Sequence, residues 1–222
     1  MMIAYPAADI CCELREDTIR TFVIENQHMF YSIVSDICAQ LEGNDGEVVL
    51  SEDYSPLDMR KSVELLTQFV PFTVNQKELI TKLYTALKNK SVDESMYHYT
   101  QEIFCKISEY LYMLTEDEEN EIDITVPDDI AGIMKAFNVR FDDSELSLAE
   151  KLLEYMISTR NFKGQRLFIT VNLRSYLTDK ETEKLFQSLL LKKISLMCLE
   201  SAEHSRLSNE EVIIIDKDIC VI

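Results

Sequence analysis

The sequence predicts an α/β protein, a head domain built around a central sheet with an α-helical leg inserted into it. Three observations carry that prediction. Short apolar runs alternate with amphipathic helical patterns towards both ends of the chain, the rhythm of strand–helix–strand units with some parallel pairing. The middle, 72–121, carries helical signals only. The composition, 46% apolar and 28% charged with four Gly and four Pro among 222 residues, is that of a folded chain with few tight loops. The expected division is therefore 1–71 with 122–222 for the head and 72–121 for the leg.

The elements follow in order. "MIAY" (2–5), "DICCEL" (9–14) and "RTFVI" (20–24) read as strands, broken by Pro6 and by "REDT". A helix over Glu25–Leu41 places Met29, Phe30, Ile33, Val34, Ile37 and Leu41 on one face. "EGNDGE" is a turn and "VVL" (48–50) a short strand behind it. "KSVELLTQFVPFTV" (61–74) looks strand-rich, with its Leu-Leu centre ambiguous. Asn75 with Glu78, and Ser91 with Glu94, have capping-box spacing and predict two helices, the second reaching Leu114. Met96, Ile103 and Tyr110 recur every seven residues, as do Ile107 and Leu114, which is read as packing within a helical hairpin. Beyond them "IDITV" (122–126) reads as a strand, Asp128–Phe137 as a helix and "VRF" (139–141) as a strand. A helix over Ser147–Phe162, the strand "RLFITVN" (166–172) and a helix capped by Thr178 and Glu181 come next. "ISLMCLE" and "EVIIID" read as further strands before the closing "ICVI".

An α/β head invites a nucleotide site, and the sequence has no motif for one. Gly43, Gly46, Gly132 and Gly164 fit neither G-x-x-x-x-G-K-[ST] nor G-x-G-x-x-G, so no glycine loop offers backbone N–H groups to a phosphate. His28, His98 and His204 stand far apart and outside any hydrolase or zinc motif, so a binding protein is expected rather than an enzyme. The six cysteines lack C-x-x-C spacing and are expected as buried, reduced thiols. No stretch has the roughly 18 apolar residues of a spanning helix, and the start shows no basic-then-apolar leader. A cytoplasmic protein with no membrane partner is expected.

Two charge patterns stand out. "TEDEENEIDITVPDD" (115–129) holds eight carboxylates and no Lys or Arg. Its early acids follow a helix C-terminus, where the dipole disfavours them, so the stretch is either a solvated linker with Asp128 or Asp129 capping the next helix, or a calcium site. The spacing is not that of an EF-hand. The 22 Lys and Arg are outnumbered by 40 acids and are dispersed, for a net charge of −18. Small basic clusters occur at Arg60-Lys61, at Lys77, Lys82, Lys88 and Lys90, and at Lys135 with Arg140. An oligomer could gather a few such lysines into one shared channel.

In sequence order, "MRKSVELLTQF", "ENEIDI" with "DDIAGIMKAFNVRFDD", "RLFITVNLRSYLTDKE", "ISLMCLE" and "VIIIDKDICVI" resemble the Csn-two family, small adaptation proteins of type II-A CRISPR–Cas systems. The resemblance implies a head similar to P-loop ATPase folds without a nucleotide site, an α-helical leg and a ring-shaped homotetramer. It further implies non-specific binding of double-stranded DNA ends in a lysine-lined central channel, Ca2+ bound near the head–leg junction, and a role in spacer acquisition. The adaptation integrase and the RNA-guided nuclease of the same system are the implied partners. Carried over by position, Glu119, Glu121, Asp123, Asp128 and Asp129 are the implied calcium ligands. Lys61, Lys135 and Arg140 are the implied DNA contacts, with Lys77 and Lys82 on the leg added as a guess. Asn138 stands where the family commonly has Gly; Asn tolerates the left-handed conformation, so a turn is expected there. The competing function class is a protein-binding scaffold of the adaptation complex with little DNA affinity of its own. A hydrolase with a cryptic nucleotide site is a third.

Overall fold

A computed structural model describes residues 1–8 and 10–222, leaving out Asp9 of the predicted strand 9–14 and the side chain of Ala8. It contains two compact units. The larger takes Met1–Val74 and Asp143–Ile222, and the inserted one Asn75–Asp142. The stretch 122–142, expected in the head, thus belongs to the inserted unit.

The larger unit has two sheets. The first is antiparallel, ordered β2-β1-β4-β5, from β1 (Met2–Tyr5), β2 (Ile10–Glu13), β4 (Val49–Glu52) and β5 (Ser55–Pro56). The second is wholly parallel, ordered β6-β7-β8-β3-β9, from β3 (Ile19–Ile24), β6 (Val63–Leu66), β7 (Leu167–Val171), β8 (Ser195–Glu200) and β9 (Glu210–Ile215). A parallel sheet covered on both faces needs strands that are apolar almost throughout. β7 meets that condition: Leu167, Phe168 and Ile169 are fully buried, and so is Thr170. Helix α1 (Gln27–Leu41) covers part of this core with Met29, Ile33 and Ile37, the face that the periodicity picked out. The short α2 (Met59–Ser62) occupies the start of the stretch expected to be strand-rich, and only Val63–Leu66 of it is a strand.

Two helices of this unit begin where their caps predict. Ser147 and Glu150 form a reciprocal capping box at α6 (Leu148–Lys163), and Thr178 and Glu181 do the same at α7 (Asp179–Leu191). Each satisfies N–H groups that an uncapped first turn leaves without partners. Of the six cysteines, all free, only Cys198 is buried, where loss of solvation raises its thiol pKa; Cys11, Cys105 and Cys220 are exposed, against expectation.

One buried polar cluster anchors the connection from β8 to β9. The Arg174 guanidinium donates to Glu210 Oε1 at 3.3 Å, to Asp179 Oδ1 at 2.7 Å and to the Ser205 carbonyl at 3.0 Å. Glu210 also accepts from the Thr21 hydroxyl at 2.7 Å and the Leu207 N–H at 3.0 Å. Glu200, at the end of β8, accepts the Arg174 N–H at 3.1 Å with one carboxylate oxygen. Its other oxygen is buried without a hydrogen bond, 3.5 Å from His204 Nε2. Burial pushes the Glu200 carboxyl up to about 7 and, with the neighbouring Arg174 charge, holds His204 below the ordinary histidine value.

The inserted unit is helical: α3 (Lys77–Ser91), α4 (Tyr97–Thr115) and α5 (Ala131–Ala136). Asn75 does not cap α3. Its side chain donates to the Phe141 carbonyl at 3.0 Å and accepts the Phe141 N–H at 2.9 Å, clasping the start of the unit to its end. Ser91 ends α3, and α4 begins six residues later without a side-chain cap. "IDITV" and "VRF" are not strands, because neither finds an edge to pair with among the described residues. The helix expected over Asp128–Phe137 shortens to α5, and Asn138 adopts the left-handed conformation, φ 48°. On α4 only Thr100 and Phe104 are buried. The sevenfold row stays exposed, from 39% at Met96 to 61% at Tyr110, so it is not consumed by an internal hairpin.

Candidate nucleic-acid interface

Helix α3 turns one stripe of side chains towards α5. Residues 77, 81, 84, 85 and 88 fall on one face at 3.6 residues per turn, and the eleven-residue step from Lys77 to Lys88 misses three full turns by only about 20°. With Lys135 of α5 and Asp129 they line a groove of about 560 Å³ within the inserted unit. Tyr84 joins its walls, the hydroxyl donating to the Met134 carbonyl at 3.3 Å. Thr81 and Thr85 donate their hydroxyls to carbonyls of their own helix, so the lysines carry the cationic donors of the groove.

Lys88 is paired within the groove. Its ammonium lies 2.6 Å from Asp129 Oδ2, and Asp129 Oδ1 accepts the Ala131 N–H at 2.7 Å. The hydrogen bond to Asp129 raises the Lys88 pKa. The same contact, helped by the Ala131 N–H, holds Asp129 below the usual carboxylate range. Neither Lys77 nor Lys135 has an ion pair among the described residues.

The groove brings together three of the ten residues singled out from the sequence: Lys77, Lys135 and Asp129. Lys82 is exposed on α3 and Arg140 is exposed after α5, but neither lines it. Lys61 is exposed on α2 of the larger unit. Lys88, which the sequence places in a basic cluster with Lys77, Lys82 and Lys90, was not singled out as a contact. Its signal was available in the near-integral turn count from Lys77.

The acidic stretch is not assembled into a ligand set. Glu119, Glu121, Asp123 and Asp128 are exposed along the coil that precedes α5. No three acids, histidines or cysteines converge to hold a metal among the described residues. Asp129 has both oxygens engaged, by Lys88 and by the N–H of Ala131 at the start of α5, while the N-cap position of that helix falls to Ile130 without a side-chain cap. The five acids implied as calcium ligands are not gathered into one cluster among the described residues.

No helix among the described residues is long and apolar enough to cross a membrane. Nothing among curated proteins matches the chain. Among solved structures, an ATP-binding protein described as an ABC transporter, from Pyrococcus furiosus, is similar over 92% of this chain and 88% of its own. Its identity is 12% and the TM-score 0.39. A family model described as CRISPR-associated protein (Cas_Csn2) matches residues 40–219. That span takes in every segment that carries the resemblance, apart from the last three residues of "VIIIDKDICVI", and it is well over half of the chain. The chain belongs to the CRISPR-associated Csn2 family.

Proposed function

We propose that this CRISPR-associated protein holds double-stranded DNA, at its ends and without reading sequence, in the basic channel of a homotetrameric ring that supports spacer acquisition. The observation that carries the reading is the groove in which Lys77, Lys88 and Lys135 converge on a chain whose net charge is −18. Lysines are compact point charges that suit phosphate without distinguishing bases. The exposed row Met96, Ile103, Ile107, Tyr110 and Leu114 supports self-association, since a seven-residue apolar repeat left open on a helix suits another helix. The protein acts as a binder rather than an enzyme, beside the integrase and the RNA-guided nuclease of its system. Calcium bracing has no assembled ligand set behind it, and the proposal does not depend on it.

The test is binding to a linear duplex and to a closed circle of the same sequence, at about 50 and about 200 mM salt. The linear duplex should bind with strongly salt-dependent affinity, and the circle should not. Lys77→Ala with Lys135→Ala should lower the salt slope by about one per lysine removed. Binding that ignores both lysines and salt would sink the groove reading and promote the protein-binding scaffold, for which the exposed row on α4 would be the docking face.

A further inference from the structure

We propose that Asp129 is an internal anion seated in the groove in place of phosphate, and that its pairing with Lys88 sets how tightly the groove holds a nucleic acid. This rests on the reading of the groove as a phosphate site. Lys88 is the one groove lysine that the structure shows already neutralised, by a carboxylate at 2.6 Å. A direct contact this close, slightly under the usual range of about 2.7–2.9 Å for an ammonium on a carboxylate, is a charge-assisted hydrogen bond. The carboxylate is not a stray surface acid, because its second oxygen is fixed by the Ala131 N–H at 2.7 Å and its side chain is about three-quarters covered.

An ammonium does not distinguish a carboxylate oxygen from a phosphate oxygen by geometry, so the two anions compete for Lys88. While Asp129 holds it, Lys88 neutralises no phosphate and releases none of the cations condensed on the nucleic acid, and a phosphate entering the groove meets the charge of Lys77 and Lys135 alone. Displacing Asp129 makes Lys88 a third contact. The acid thus tunes a groove that would otherwise carry three open lysines.

The experiment measures the affinity and salt slope of the full chain for a linear duplex in five variants. They are Asp129→Asn, Lys88→Met, the two combined, Glu121→Gln, and Lys77→Ala with Lys135→Ala. Asparagine keeps an oxygen for the Ala131 N–H, so α5 keeps its start. Asp129→Asn should tighten binding about threefold to tenfold at low salt and steepen the slope by about one, because Lys88 now neutralises a phosphate and releases the cation condensed on it. Glu121→Gln removes the same charge outside the groove and should leave the slope unchanged. The gain should vanish when Lys88→Met is present. Equal effects of Asp129→Asn and Glu121→Gln, or a gain that survives without Lys88, overturn the inference. If Lys77→Ala with Lys135→Ala weakens binding while Asp129→Asn changes nothing, the inference fails and the groove reading stands. If that double variant changes nothing, the groove reading fails and takes the inference with it.

Discussion

Two ion pairs, one in each unit, use the same chemistry to opposite ends. In the larger unit Arg174 and Glu210 are 2% and 1% exposed at their side chains, and both make further hydrogen bonds, Arg174 to the Ser205 carbonyl and Glu210 from the Thr21 hydroxyl, although the buried Arg174 Nε has no partner. In the inserted unit Lys88 is half exposed and meets Asp129 at the rim of an open groove. Burial decides what each can do. A desolvated pair cannot lose a partner without stranding a charge, so it fixes structure. A solvated pair loses little when it opens, so it can trade its partner for a ligand.

The comparison breaks most sharply at Arg174. Arg174→Met leaves Glu210 buried with its countercharge gone and the Ser205 carbonyl without a donor, which costs about 3–5 kcal/mol. Chemical denaturation of the variant should show that loss, and the connection between β8 and β9 should become protease-sensitive first. An unfolding midpoint equal to that of the unsubstituted chain would mean the cluster is not structural.

Glu200 offers a smaller effect with a definite sign. Folded, its carboxyl keeps a proton up to about 7, against 4.5 ordinarily. The folded state therefore binds more protons than the unfolded state between those values. Its contribution is fully present below about pH 4.5 and is lost as pH rises through about 7, amounting to at most about 3 kcal/mol. His204, with its pKa lowered, works the other way and gains stability as pH rises towards 6.5. The two are separated by Glu200→Gln, which keeps an oxygen for the Arg174 N–H and does not titrate. Across pH 5 to 8 the unfolding midpoint of the unsubstituted chain should fall relative to that of the variant. Parallel curves would place Glu200 ionised throughout.

What the sequence revealed divides along similar lines. The capping boxes at Ser147 and Thr178 were legible because every atom they need lies within one helical turn. Asn75 with Glu78 has the same spacing and did not cap, because Asn75 is taken by Phe141, 66 residues away. Ser91 is likewise turned back on the Lys88 carbonyl at 2.7 Å as the last residue of α3. Strand propensity in "VVL" and "EVIIID" succeeded where a neighbouring strand waited, and failed in "IDITV", where none did. In the site, Lys77 and Lys135 were singled out as contacts and Lys88, named only within its basic cluster, could have been, since its phase on α3 is local arithmetic. The role of Asp129 could not be read, because it depends on a lysine from a different helix.

The smallest expected effect tests the other half of the comparison. Lys88→Met removes a half-exposed cation and leaves Asp129 with the Ala131 N–H on one oxygen and the quarter of its side chain that is open to the groove for water to reach the other. Nothing is stranded, and the Tyr84 contact with Met134 and the clasp of Asn75 on Phe141 remain to hold the inserted unit. The unfolding midpoint of Lys88→Met should therefore coincide with that of the unsubstituted chain, in low salt and in high. A clear loss of stability would show that the Lys88–Asp129 pair is structural, like Arg174 with Glu210, and too costly to open for a phosphate. A null result leaves the pair free to exchange, as a groove that takes and releases DNA requires.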